Sequence, residues 1–107
     1  MTTHYLHIRH ASTPWQRLIG LLGSPPLSEG HALWLSPCRA VHSMGMRHAI
    51  DVVFVNADNV VCAVQAPLRP WRAAVCLRAS AVLELRAGAA AAYGILPGDK
   101  IACVLDT

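Results

Sequence analysis

Two runs rich in β-branched residues, 51–56 (DVVFVN) and 60–65 (VVCAVQ), are separated only by Ala57-Asp58-Asn59. Val, Ile and Phe suit a pleated, half-buried surface, and Asp and Asn tolerate the backbone of a tight connection. The pair therefore predicts an antiparallel hairpin, and the chain must fold around a sheet that contains it.

The rest of the chain supplies partners for that sheet. Residues 5–9 alternate, with Leu6 and Ile8 set to face a core and Tyr5, His7 and Arg9 to face out. Residues 32–35, 41–46, 81–86 and 101–105 read as further short strands, with 41–46 passing from strand to loop. Pro70 is expected to keep the stretch after 65 extended. Leu96-Pro97-Gly98-Asp99 has the Pro-Gly centre of a type II turn.

Two helices are predicted. Thr13 can cap the first and Pro14 can open it; Trp15, Leu18, Ile19 and Leu22 form one apolar face before Gly23 and Pro25-Pro26 stop it. Residues 89–93, four alanines and a tyrosine before Gly94, form the second. Seven strands and two short helices predict a mainly β fold of the α+β type. Its antiparallel sheet would curl into a sandwich or a partly open barrel. No repeat or linker interrupts residues 1–107, so one domain is expected.

At 54% hydrophobic and 14% charged residues, the composition is that of a folded core, not of a disordered chain. The net charge of +3 comes from arginines scattered along the chain, with no basic run interleaved with aromatics, so no nucleic-acid partner is expected. No apolar stretch is long enough for a membrane span, and residues 1–10 lack the apolar core of an export signal; a cytoplasmic location is expected. Cys38, Cys62, Cys76 and Cys103 are far apart and are expected to be free thiols, with Cys62 and Cys103 buried in their strands.

Candidate chemistry concentrates in residues 37–51. Cys38 and His42 could form an activated nucleophile, but residues four apart on a strand lie about 13 Å apart. Cys38, His42, His48 and Cys76 lack the spacing of a structural zinc site, and His4, His7 and His10 read as polar residues of an exposed strand, so no metal or other cofactor is expected. Asp51 opens an apolar strand and needs a partner, for which Arg47, Arg72 or His42 are available. Trp71 and Arg72, after Pro70, are the residue types that anchor binding sites. Glu84 alternates with Leu83 and Leu85 and is expected to face solvent or a polar cleft.

Ordered motifs from Thr13 to Val104 resemble the bacterial and archaeal family called domain of unknown function 192. They are Arg17-Leu18-Ile19-Gly20-Leu21-Leu22, residues 38–46 (CRAVHSMGM), residues 50–55 (IDVVFV), Pro70-Trp71-Arg72, Val82-Leu83-Glu84-Leu85 with Gly88, and residues 94–99 (GILPGD). The chain has Ala49 where relatives often have proline and Asn59 where a hairpin glycine is common. The resemblance implies a compact β-rich fold with two short helices and carries no activity.

Two functions fit these residues. In the first, His42, Met44, Met46, Asp51, Trp71, Arg72 and Glu84 form a patch of a binding or accessory module for a small ligand or a partner protein. His42 and Arg72 would share one rim, with Trp71 as a wall and Met44 or Met46 as the floor. In the second, His42 works with Asp51 or Cys38 in acid, base or nucleophilic chemistry. The first is favoured, because no complete catalytic constellation is visible.

Overall fold

A computed structural model describes residues 1–11, 31–43 and 48–104. The predicted hairpin is present as β4 (Ile50–Val55) and β5 (Val61–Leu68). Asn56 closes its turn, because its side-chain oxygen accepts the backbone N–H groups of Asp58 (2.9 Å) and Val60 (3.0 Å). Asn59 adopts the left-handed backbone, φ 61°, that asparagine tolerates and β-branched residues do not.

With β1 (Thr3–Ala11), β2 (His31–Leu35), β7 (Ala81–Arg86) and β8 (Lys100–Val104), the hairpin forms a six-stranded sheet in the order β5-β4-β7-β2-β1-β8. The sheet is mixed, which corrects the antiparallel expectation. β1 runs parallel to both β2 and β8, while the β2–β7, β7–β4 and β4–β5 pairs are antiparallel. The edge strands meet at one end only, at the Val60–Lys100 bridge and through Val61 N–H to the Asp99 carbonyl at 2.8 Å. The sheet is thus curled but not closed into a barrel, and no second large sheet makes a sandwich among the described residues.

A further pair, β3 (Ala40–His42) and β6 (Ala73–Val75), forms a separate antiparallel ribbon. Residues 73–75 are too short and too alanine-rich to announce a strand, so β6 adds an eighth strand to the seven expected.

Alternation assigns the two faces of the sheet. Leu83 and Leu85 of β7 lie with Val53, Val55, Leu6, Ala32, Val61 and Ile101 in a cluster to which all six strands contribute. The helix α1 (Ala89–Tyr93) packs its buried Ala89 and Ala90 into this cluster. Gly94, φ 67°, ends α1: its N–H bonds to the Ala91 carbonyl (3.1 Å), and Ile95 N–H bonds to that of Ala90 (2.9 Å). α1 is the one helix among the described residues, and the helix predicted through Trp15, Leu18, Ile19 and Leu22 lies outside them. The opposite face carries Leu33, Leu35, Ile50, Val52, Phe54 and Val82, and the ribbon covers it with Val41, Ala74 and Cys76.

The first and last strands are clipped together by a carboxylate. Leu96–Asp99 form the predicted turn, with Gly98 at φ 92° and Asp99 N–H bonded to the Leu96 carbonyl at 3.0 Å. The Asp99 side chain accepts bonds from His4 Nε2 (2.8 Å) and from the backbone N–H groups of Thr2 (3.1 Å) and Leu96 (3.0 Å). His4 is thus buried and paired, not exposed as expected, because it falls on the same side of β1 as Leu6. These bonds, His4's first, hold the Asp99 pKa down to about 2. A depressed carboxylate pKa contributes stability that is complete above the unfolded value near ~3.9 and is lost as pH falls through the folded value. The urea midpoint is therefore expected to drop between about pH 4 and pH 2. Asp99→Asn should lower the midpoint at neutral pH and flatten that drop; an equally steep acid loss in the variant would show that other carboxylates govern it.

Candidate functional site

The end of the β3–β6 ribbon is built on one buried hydroxyl. Ser43, immediately after β3, is fully buried. Its Oγ donates to the Arg69 carbonyl at 2.5 Å and lies 3.1 Å from that of Arg72, and it accepts the Arg72 N–H at 2.9 Å. Ser43 N–H donates to the Arg72 carbonyl at 2.8 Å, and Trp71 N–H to that of Ser43 at 3.1 Å. The loop 69–72 is thereby fixed on the end of β3. Within it, Trp71 takes a left-handed backbone, φ 62°, and is 62% exposed. A bulky residue held in that conformation is a strained position, of the kind that clusters at ligand-contacting segments.

His42 ends β3 opposite Ala73, one residue from Arg72, and both His42 and Arg72 are exposed. Beside them a shallow depression of about 380 Å³ is lined by Gln65–Leu68 of β5, Arg69, Arg72 and Ala73. Among the described residues, two that bear guanidinium groups line it and no carboxylate does. Arg39 and Arg78 flank the same ribbon and are also exposed, so arginines scattered in sequence gather around one element. That gathering is invisible in sequence order, because a ribbon between residues 40 and 75 creates it.

Asp51 and Glu84, by contrast, are buried within the sheet. Asp51 is buried on the α1 face, and its Oδ2 accepts the Ala90 N–H at 2.9 Å. Among the described residues its partner is therefore the first turn of α1 and not Arg72 or His42; Arg47 lies outside them. Glu84 is 1% exposed, so of the two expected surroundings, solvent or a polar cleft, solvent is corrected. It pairs in register with Leu33 and Val52 and so lies on the ribbon-covered face, opposite Asp51. The period-two pattern correctly separated Glu84 from Leu83 and Leu85, but the sheet is covered on both sides. Met44 and Met46 lie outside the described residues. His42 and Asp51 thus occupy different sides of the sheet. Cys38, half-buried, donates its thiol to the Ala40 carbonyl at 3.0 Å.

The thiols also differ from expectation. Cys76 is buried, Cys62 is half-buried, and Cys103, near the end of the edge strand β8, is exposed. All four are free. Among the described residues, no group of three or more His, Cys, Asp or Glu is placed to hold a metal ion, and no helix is long and apolar enough to cross a membrane.

Comparison with known proteins agrees with the fold. A protein of unknown function from Novosphingobium aromaticivorans superposes with a TM-score of 0.77 at 25% identity, over 89% of this chain and 73% of that one. A Sinorhizobium meliloti protein described as a candidate transcription regulator superposes with a TM-score of 0.78 at 22% identity, over 89% of this chain and 79% of that one. The second likeness shows shared fold alone. No curated protein matches the chain. The model of the DUF192 family, described as uncharacterized ACR, matches residues 1–103, and the chain belongs to that family.

Proposed function

We propose that this domain is a binding module that recognises a small anionic ligand, one carrying a phosphate or carboxylate, at the end of the β3–β6 ribbon. The observation that carries the reading is the depression lined by Arg69 and Arg72, with no carboxylate lining it among the described residues. Guanidinium groups present planar forks of donors that match the oxygens of phosphates and carboxylates. The Gln65 side chain adds an amide to the same wall, and the exposed Trp71, which precedes Arg72 in the chain, offers an apolar surface for the rest of the ligand. His42 at the adjoining strand end supplies a further polar group. Met44 and Met46, which follow Ser43 in sequence, belong to this reading by their thioether chemistry alone.

Calorimetric titration with inorganic phosphate, citrate and a nucleoside monophosphate tests it, with Trp71 fluorescence as a second readout. At least one of these anions should bind with an affinity that falls as salt rises. Hydrogen bonds to charged groups are worth about 1.5–3 kcal/mol, so Arg72→Ala should weaken binding roughly tenfold or more. Arg86→Ala, at the exposed end of β7, should leave it unchanged. Binding that is insensitive to Arg69 and Arg72, or absent for all three anions, would overturn the reading.

A further inference from the structure

β5 contains a bulge, and the bulge aims a thiol. Val55 pairs with Val61 and Phe54 pairs with Ala63, which leaves Cys62 as the extra residue between the two registers. An unbroken strand would put Cys62 and Ala63 on opposite faces. Here both pack against the ribbon-covered cluster, the one that also holds Cys76. Cys62 Sγ lies 3.9 Å from the Arg78 carbonyl, so it reaches the turn that follows β6. That turn is closed by Ala79 N–H bonding to the Cys76 carbonyl at 3.1 Å, and Cys76 itself is anchored by its N–H to the Arg39 carbonyl at 2.8 Å.

We infer that Cys62 and Cys76 are a redox modification site, a dithiol that closes to a reversible disulfide between the bulge of β5 and the end of the ribbon. Both side chains pack in one cluster, and Cys62 Sγ reaches the turn that Cys76 opens. Burial and the neighbouring Cys76 raise the Cys62 thiol pKa, while the Arg78 guanidinium pulls it the other way. The reaction needs an oxidant, and a low-molecular-weight disulfide suffices. The half-buried Cys62 loses its proton to solvent and its sulfur attacks the small disulfide. One S–S bond forms, one breaks, and one small thiolate leaves. Cys76, deprotonated in turn, attacks the Cys62 sulfur and expels the second small thiolate. Two protein thiols are oxidised and one small disulfide is reduced to two thiols.

The inference is independent of anion binding, since neither cysteine lines the depression. The test is incubation of the native protein with oxidised glutathione, alkylation of the remaining thiols, and tryptic mapping. Cleavage after Arg47, Arg72 and Arg78 puts Cys62 in the peptide 48–72 and Cys76 in the peptide 73–78. The major product should be these two peptides joined, formed faster as pH rises and reversed by dithiothreitol. Cys76→Ser should stop at a mixed disulfide on Cys62, and Cys103→Ser should leave the bridge intact. Full alkylation of Cys62 and Cys76 after oxidation, or a bridge from either one to Cys38 as the major product, would overturn the inference.

Discussion

Leu83→Ala is expected to lower the free energy of unfolding by about 2–5 kcal/mol, a large part of the roughly 5–15 kcal/mol that holds a domain of this size together. Leu83 sits in β7, between β4 and β2, in register with Val53 and Trp34 and wholly buried. Rigid strands on both sides prevent collapse around the lost atoms, so the cavity persists and adds to the lost transfer energy. Its neighbour Val82 is equally buried but on the ribbon-covered face. Val82→Ala should therefore also cost on the order of 2 kcal/mol. Leu77, 77% exposed, provides the control, and Leu77→Ala should stay within about 0.5 kcal/mol of the parent. Urea denaturation of the three variants checks all of this. A neutral Val82→Ala would mean that one face of the sheet is open to solvent.

Asp51→Ala is expected to cost about 1–3 kcal/mol while leaving anion binding at the ribbon intact. The carboxylate accepts the Ala90 N–H, which lies in the first turn of α1 and has no acceptor within the helix. Its removal strands that buried donor, and the loss is concentrated in a helix of only five residues. Asp51→Asn retains an oxygen that can accept the bond and should recover much of the stability. Amide exchange localises the effect: protection should fall at Ala90 and along α1 in Asp51→Ala, with β3 and β6 unchanged. Unchanged α1 protection together with lost anion binding would return Asp51 to the ligand site.

Asp51 and Glu84, two of the seven residues of the expected patch, are buried within the sheet. Glu84 was read inside an apolar strand and Asp51 at the opening of one, and β4 in fact begins one residue earlier, at Ile50. Their facing could be compared only once β4 and β7 were in register. Val52 pairs with Glu84 and Asp51 with Leu85, which puts the two acids on opposite sides of the sheet. His42, Trp71 and Arg72 were legible as candidates because an aromatic and a guanidinium on a proline-led loop are unusual. Arg69 and Gln65, which line the same depression as Arg72, carried no such signal, being ordinary polar residues at the end of β5 and just beyond it.

Local patterning in the sequence by itself determined the β4–β5 hairpin, the outward set of β1, the type II turn before β8, the five-residue helix stopped by glycine, and the family. Each depends on residues within a few positions of one another, where backbone preference and side-chain period act directly. Tertiary structure alone decided the parallel pairing of β1, the ribbon that joins residues 40–42 to 73–75, the burial of Glu84 and His4, and the meeting of Cys62 with Cys76. Those depend on which distant strands become neighbours and on what covers each face. That choice is made by the summed burial of the whole core and leaves no mark on any short stretch of chain.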